Sequence, residues 1–394
     1  MTEIVDAILG KVRQVIGEKD GFVPLHEPEF TGNEAAYVAD CIETGWVSSV
    51  GSYVDRIEKD LAAFTGANHA VAVMNGTAAL HLSLQLVGVT RDDEVLLPTL
   101  TFIATANATS YTGATPHFID SEATSLGVDP AKLAAHLSEI AEMRDGACYN
   151  SQTGRRIAAL VVMHAFGHPA QLRELLAVTR EWNIPLVEDA AESLGSYYAG
   201  QHTGTFGAIA ALSFNGNKVM TTGGGGAILT NDPALARQAK HLSTTARVPD
   251  RWNFVHDAVG YNYRMPNLNA ALGCAQLERV PEMLERKRRL AHAYRDAFAQ
   301  IDGVRFLDEP EDTRSNFWLN ALLLEKADRE THEAVLQALN DADLMSRPVW
   351  TLMHLLPMFA DAPRADLSCA EDLALRVINI PSSPNLMSAE SVGR

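Results

Sequence analysis

Cysteine is scarce in this chain. Its 394 residues hold four, Cys41, Cys148, Cys274 and Cys369, far apart and without a CxxC pair. That spacing excludes a disulfide framework or a zinc ribbon and fits a reducing cytoplasm, where we expect the protein to reside. Long apolar runs are missing as well. None approaches the roughly 18–20 residues of a membrane span, so no membrane partner is expected. Positive charge is in short supply: 32 Lys and Arg stand against 49 Asp and Glu, a formal net charge of −17. This argues against a nucleic-acid backbone or an anionic bilayer as partner. It leaves room for a small anionic ligand, because a few local donors can hold a phosphate inside an acidic protein. There is no fixed-period repeat and no low-complexity segment. The opening MTEIVDAILGKVRQVIG does not read as a signal peptide, since Asp6, Lys11 and Arg13 interrupt any apolar stretch. Ile4, Ile8, Val12, Val15 and Ile16 recur there at helical spacing and predict a short amphipathic helix.

What is present is an ordinary globular composition, 47% hydrophobic and 21% charged. A chain of this length can bury a large core without disulfides or a structural metal, and two domains are expected. From about residue 55 to 230, short apolar runs alternate with helical periodicity. HAVAVM, EVLLP, TPHFID, RIAALVVMHAF, IPLVEDAA, AIAALSFN and GGGGAILTND read as strands. TAALHLSLQLVG, TFIATANATSYTG and AQLRELLAVTREW read as helices between them. Near-continuously apolar strands separated by helices predict an α/β fold with a mostly parallel sheet covered on both faces. Past residue 265 comes a long helical stretch, which Pro281 is predicted to break. Two strand-like segments, NFWLNALLLE and RVINIP, then flank the helical ETHEAVLQALNDADL. The expected division is an N-terminal helix (1–20), a large domain (21–265) and a smaller α+β C-terminal domain (266–394).

Four features carry chemistry. Asn75-Gly76-Thr77 lies between a strand and a helix, where free backbone N–H groups and a hydroxyl make an anion site; a plain tight turn with a threonine cap is the alternative. Asp189 ends an apolar strand, facing the crevice where open α/β sheets bind ligands, or else caps a helix. Ser213-Phe214-Asn215-Gly216-Asn217-Lys218 closes another strand, and Gly223–Gly226 follow. Lys218 could project into the same crevice as a Schiff-base amine, or be a surface lysine in a glycine-rich loop. Gly260-Tyr261-Asn262-Tyr263-Arg264-Met265 gathers aromatic, amide and guanidinium groups in one loop, or is a domain-boundary turn. A phosphate cup, a strand-end acid and a strand-end lysine, in that order, fit pyridoxal 5′-phosphate, which needs a phosphate site, an acid at its ring nitrogen and a lysine at its aldehyde. Phe102 could stack on one face of the ring.

The segments NGTAAL, LPTLTFIATANA, VEDAAESLG, LSFNGNK with TTGGGGAI, and GYNYRM resemble those of the DegT-type sugar aminotransferases, pyridoxal phosphate enzymes of the aspartate aminotransferase fold (fold type I). The likeness runs in family order from about Pro24 to Pro381. The opening FVPLHEPEFTGNE with CIETGWVSSVGSYVDRIE is most similar to the subgroup of the legionaminic acid and bacillosamine pathways. The resemblance implies that Lys218 carries the internal aldimine and that Asp189 pairs with the pyridine nitrogen. Gly76, Thr77 and Ser213 would hold the phosphate, and Phe102 would cover the ring. Asn262 would reach the phosphate of a neighbouring subunit, making the active unit a homodimer. Trp46-Val47-Ser48-Ser49 matches a segment near the substrate, Trp350 lines the same pocket, and Arg264 and Arg347 are anion contacts for a donor carboxylate or a sugar diphosphate. After Asp189-Ala190-Ala191 many relatives carry His or Gln, where this chain has Glu192. An ionised carboxylate would repel the cofactor's phenolic oxygen, so Glu192 is either protonated by burial or turned elsewhere.

The implied reaction moves an amino group from L-glutamate, through pyridoxamine phosphate, to a nucleotide-linked 4-keto-6-deoxy sugar. The subgroup points to a UDP-linked N-acetylhexosamine aminated at C4, for a bacterial surface glycan. Three rivals are weaker. Sugar dehydratases of this family carry His at the aldimine position, where Lys218 stands. A non-catalytic cofactor-binding regulator would not need complete catalytic and phosphate motifs. A nicotinamide dehydrogenase would show GxGxxG where this chain has Asn-Gly-Thr. His164 and His168 share a metal-like spacing, but Gly167 and Pro169 prevent the helix that would align them, so no metal is expected. The run Glu285-Arg286-Lys287-Arg288-Arg289 reads as a solvated helix face.

Overall fold

The structure is a computed structural model that describes residues 2–387. Residues 388–394 of the expected C-terminal domain lie outside the described residues. The chain opens with helix α1 (Thr2–Ile16), whose Ile8, Val12 and Ile16 pack with Leu290, Tyr294 and Phe298. Helices α2 (Glu34–Thr44) and α3 (Ser52–Thr65) follow.

The central sheet has seven strands: β1 (His69–Val73), β2 (Glu94–Pro98), β3 (Thr115–Ile119), β4 (Ile157–Met163), β5 (Leu186–Asp189), β6 (Ile209–Ser213) and β7 (Gly226–Thr230). Their spatial order is β1-β7-β6-β5-β4-β2-β3. From β6 to β3 all neighbours are parallel, while β7 runs antiparallel to both β6 and β1. Parallel pairs need crossovers, and helices α4 (Gly76–Leu86), α5 (Ile103–Tyr111), α6 (Pro130–Ile140) and α7 (Leu172–Glu181) lie between the strands. Helix α8 (Pro233–Ser243) follows β7. The starts of α6 and α8 are written locally: Asp129 and Asp232 each accept two backbone N–H bonds, and a proline follows in the first helical position. A hairpin (Ala141–Arg144 with Ala147–Asn150) adds to the expected elements.

Burial explains why the strands lack alternation. Every residue of β4 is buried. Val161 joins one core with Val95, Val187 and Ile209, while Leu160 and Val162 join another with Leu133, Leu172 and Leu175. Helices thus cover both faces. A second, antiparallel sheet of β8 (Val304–Phe306), β9 (Asn320–Leu324), β10 (Arg347–Pro348) and β11 (Val377–Ile380) follows, in the order β8-β9-β11-β10, with helix α10 (Arg329–Asp341).

Two expectations are corrected here. Helix α9 spans Asn267–Phe298 without a break, although Pro281 lies inside it. Proline removes one helical hydrogen bond, and Pro281 lies on the exposed side of the helix, where its ring is not packed into the core. Both halves are also clamped: Cys274, Leu277 and Val280 pack with Ile57 and Leu61, and Leu290, Tyr294 and Phe298 pack with α1. The basic run 285–289 is not a solvated face. Lys287 is fully buried and donates to the carbonyls of Trp318 (3.1 Å) and Ser382 (2.6 Å). Arg286 pairs with Glu29 at 2.9 Å, and Arg288 with Glu309 at 2.7 Å. The helix packs against α1, α2 and α3 and against β8, so it meets protein on more than one side. No helix among the described residues is long and apolar enough to cross a membrane.

Candidate active site

A cavity of about 340 Å³ opens at the carboxyl ends of β4, β5 and β6. Gly76, Thr77, Phe102, Asp189, Glu192, Ser213, Lys218 and Trp350 line it together, although 274 residues separate the first from the last in sequence (350 − 76). The cup is built at the start of α4. Asn75 caps that helix by accepting from the Ala78 N–H at 2.8 Å. The first-turn N–H groups of Gly76 and Thr77 have no partner within the helix, and its dipole favours an anion there. A side chain at residue 76 would place its Cβ 2.8 Å from Ser213 Cβ, so glycine is what lets β6 close against the helix start. Gly226 plays the same part for β7, where a Cβ would lie 2.7 Å from the Asn75 and Leu212 backbone.

Asp189 ends β5 and is 2% exposed. The Thr105 hydroxyl donates to its Oδ2 at 2.8 Å and the Ala191 N–H to its Oδ1 at 3.2 Å. Burial pushes its pKa up, against the pull of the Thr105 hydrogen bond. Among the described residues no cation lies within ion-pair distance of it. Lys218 sits in the turn between β6 and β7, its N–H bonded to the Asn215 carbonyl at 3.0 Å. Its Nζ lies 3.1 Å from Glu192 Oε1 and 3.8 Å from the centre of the Trp318 ring. Glu192 therefore points at the lysine. Its Oε2 accepts the Phe166 N–H at 2.9 Å, and burial raises its pKa to about 7 despite the lysine. Phe102 is half-exposed at the mouth and meets Trp350 edge-on at 6.4 Å.

The remaining candidates lie elsewhere. Ser48, Ser49, Asn262 and Arg264 line a second cavity of about 370 Å³, which shares Gly224 with the first. Trp46 and Val47 are exposed beside it in sequence, and the Trp46 carbonyl accepts from Asn267 at 2.7 Å. Arg347 lies at the edge of the small sheet, bonded to Asn340 at 3.1 Å. Among the described residues no cluster of three or more His, Cys, Asp or Glu side chains is placed to hold a metal. His164 meets Glu188 at 3.0 Å, and His168 packs edge-on against Phe317.

Sequence reasoning missed Thr105 and Trp318. Thr105 is a threonine in the first turn of α5 with no local mark of its partner. Trp318 falls 100 residues after Lys218 (318 − 218), inside a segment legible only as a strand.

The residues present fit pyridoxal 5′-phosphate. An anion cup at one wall faces an amine at another, and a buried carboxylate without a cation would be completed by a protonated ring nitrogen. Comparisons with known proteins agree. The profile of the DegT/DnrJ/EryC1/StrS aminotransferase family matches residues 28–393. The chain is 36% identical to a GDP-perosamine synthase of Escherichia coli O157:H7, over 94% of this chain and 96% of that one. It is 36% identical to the putative pyridoxal phosphate-dependent aminotransferase EpsN of Bacillus subtilis (strain 168), over 93% and 92%. Among solved structures it is similar to the aminotransferase TlmJ from Streptoalloteichus hindustanus, with a TM-score of 0.83, 28% identity and coverage of 94% and 95%.

Proposed function

The chain belongs to the DegT/DnrJ/EryC1/StrS aminotransferase family, and on that premise we propose that it moves the amino group of L-glutamate to C4 of a UDP-linked 4-keto-6-deoxy-N-acetylhexosamine. As a member it is a pyridoxal phosphate-dependent sugar aminotransferase with a fold type I architecture. The observation that carries the reading is the convergence of Lys218, Asp189 and the α4 start on one cavity.

Pyridoxal 5′-phosphate would supply an aldehyde that carries the amino group between donor and acceptor and a ring that takes up the electron pair left when a proton is removed. The protein's residues do the rest. Gly76 and Thr77 bind the phosphate through backbone N–H groups, and the Ser213 hydroxyl adds a donor. Asp189 keeps a proton at the ring nitrogen, and Thr105 holds that carboxylate in place. Phe102 covers one ring face and excludes water. Lys218 would hold the cofactor, and its amine, when free, would accept the proton from the donor's α-carbon. Replacing Lys218 by Ala is expected to abolish turnover and the visible absorption of the bound cofactor; full activity in that variant would refute the assignment.

The UDP-linked reading rests on the likeness of residues 22–58 to the legionaminic acid and bacillosamine subgroup. A GDP-linked 4-keto-6-deoxy sugar is the second reading, favoured by the 36% identity to a GDP-perosamine synthase. A panel of UDP-, GDP- and dTDP-linked keto sugars, scored by kcat/KM, separates them. The expected outcome is preference for the UDP-linked acceptor, and preference for GDP would hand the case to the second reading. The second cavity, with Asn262, Arg264, Ser48 and Ser49, is assigned to the partner's site in a homodimer. The exposed Trp252 and Phe254 beside that loop suit such a contact. We also propose a domain boundary near residue 265, just before α9.

A further inference from the structure

We propose that Trp318 and Glu192 form a two-sided seat that holds the Lys218 amine whenever it is free, with Trp318 a positioning residue. The inference rests on the reading of Lys218 as the cofactor-bearing lysine and extends it to a part of the chain that carries no other assignment. The Lys218 side chain is 13% exposed. Its Nζ stands 3.8 Å from the indole centre on one side and 3.1 Å from the Glu192 carboxylate on the other. An indole face attracts an ammonium, the more strongly when water is excluded. A lysine that must leave the cofactor and return would otherwise explore many rotamers.

Both sides of the seat are held by hydrogen bonds. The Trp318 Nε1–H donates to the carbonyl of Asn217, the residue before Lys218, at 2.7 Å. The Trp318 carbonyl accepts from the buried amine of Lys287 at 3.1 Å. Glu192 Oε2 accepts the Phe166 N–H at 2.9 Å. Asn316 joins the two sides: its Oδ1 accepts the Trp318 N–H at 2.8 Å, and its Nδ2 donates to the Glu192 carbonyl at 2.8 Å. Gly167, at φ +97°, leaves the room that Asn316 occupies. The other titratable groups near the amine are Asp189 on β5, His26 in the N-terminal segment, and Lys287 on α9 behind Trp318. Burial holds His26 and Lys287 towards their neutral forms. Glu192 is thus the carboxylate in ion-pair contact with Lys218.

The test reads the amine itself. The enzyme is reconstituted with pyridoxamine phosphate, which leaves Lys218 unattached, and exposed to cyanate, which carbamylates neutral amines only. Labelling of Lys218 is measured by peptide mass spectrometry against the exposed Lys19. An amine seated as an ammonium reacts slowly. Glu192→Gln, which keeps the shape of the wall, and Trp318→Leu should each accelerate labelling, roughly 3- to 30-fold for loss of the indole face. Trp318→Phe, which keeps a ring face, should stay near the wild-type rate. Equal acceleration by Leu and Phe would mean that access alone had changed, and would overturn the proposal. So would a wild-type rate in Glu192→Gln, a variant that decides the question even if Trp318→Leu fails to fold. The underlying reading fails separately, if Lys218→Ala reconstituted with pyridoxal phosphate keeps the wild-type absorption band.

Discussion

Glu192 is a carboxyl group packed against a lysine amine, yet burial outweighs that attraction and its pKa stands at about 7 instead of 4.5. Its folded pKa is raised above the unfolded one. The stability it contributes is therefore complete below about pH 4.5 and is lost as pH rises through about 7, by at most about 3 kcal/mol. Glutamine is neutral throughout. The thermal midpoint of Glu192→Gln should therefore rise relative to wild type between pH 5 and pH 8; a gap that does not change with pH would contradict the assignment. The loss of Lys218's partner works against this gain and is itself what cyanate labelling reads. In sequence, residue 192 was visible only as a departure from the His or Gln of many relatives. Where its side chain points depended on Phe166 and Lys218, which arrive from different loops.

At the scale of elements, the cup depends on how closely the start of α4 approaches β6 and β7. Gly76→Ala would drive a methyl group to within 2.8 Å of Ser213 Cβ, and one side must move. We expect pyridoxal phosphate to bind about ten- to a hundredfold more weakly in this variant, equivalent to the roughly 1–3 kcal/mol of an overpacked contact. A spectrophotometric titration checks it, and unchanged affinity would remove Gly76 from the cup. Elements with a local signature were legible. The strands of the parallel sheet are short apolar runs, and α1 carries its stripe of Ile and Val. The continuity of α9 was not legible, because the packing that tolerates Pro281 comes from α1, α2 and α3, far away in sequence. The burial of Lys287 was hidden for the same reason: a run of basic residues looks solvated until another layer is laid over it.

For the whole molecule, the second cavity yields a prediction about assembly. Asn262 and Lys218 line different cavities within one chain. If Asn262 acts across a two-fold interface, Lys218→Ala and Asn262→Ala are each inactive alone, but dimers that exchange subunits regain one intact site. Random mixing makes half the dimers mixed, so about a quarter of wild-type activity should return. No recovery, with exchange demonstrated, would place Asn262 in its own chain's site. A net charge of −17 does not stand against the proposed anionic substrates, because helix ends and local donors can hold an anion inside an acidic protein.

Whatever depends on neighbours along the chain could be read from the amino-acid sequence alone: the α/β class, the helix start after the first strand, the acid at the end of β5, and the chain order of these with the lysine, which lies in the turn beyond β6 and not at a strand end. Periodicity and strand-end position are local properties, and parallel α/β topology carries strand ends to a common edge. What the tertiary structure decided is the company each group keeps. Thr105 on Asp189, Glu192 and Trp318 on either side of Lys218, and Asn316 joining the two are contacts between segments up to 124 residues apart (316 − 192). No periodicity encodes such contacts, because they exist only once both layers have packed.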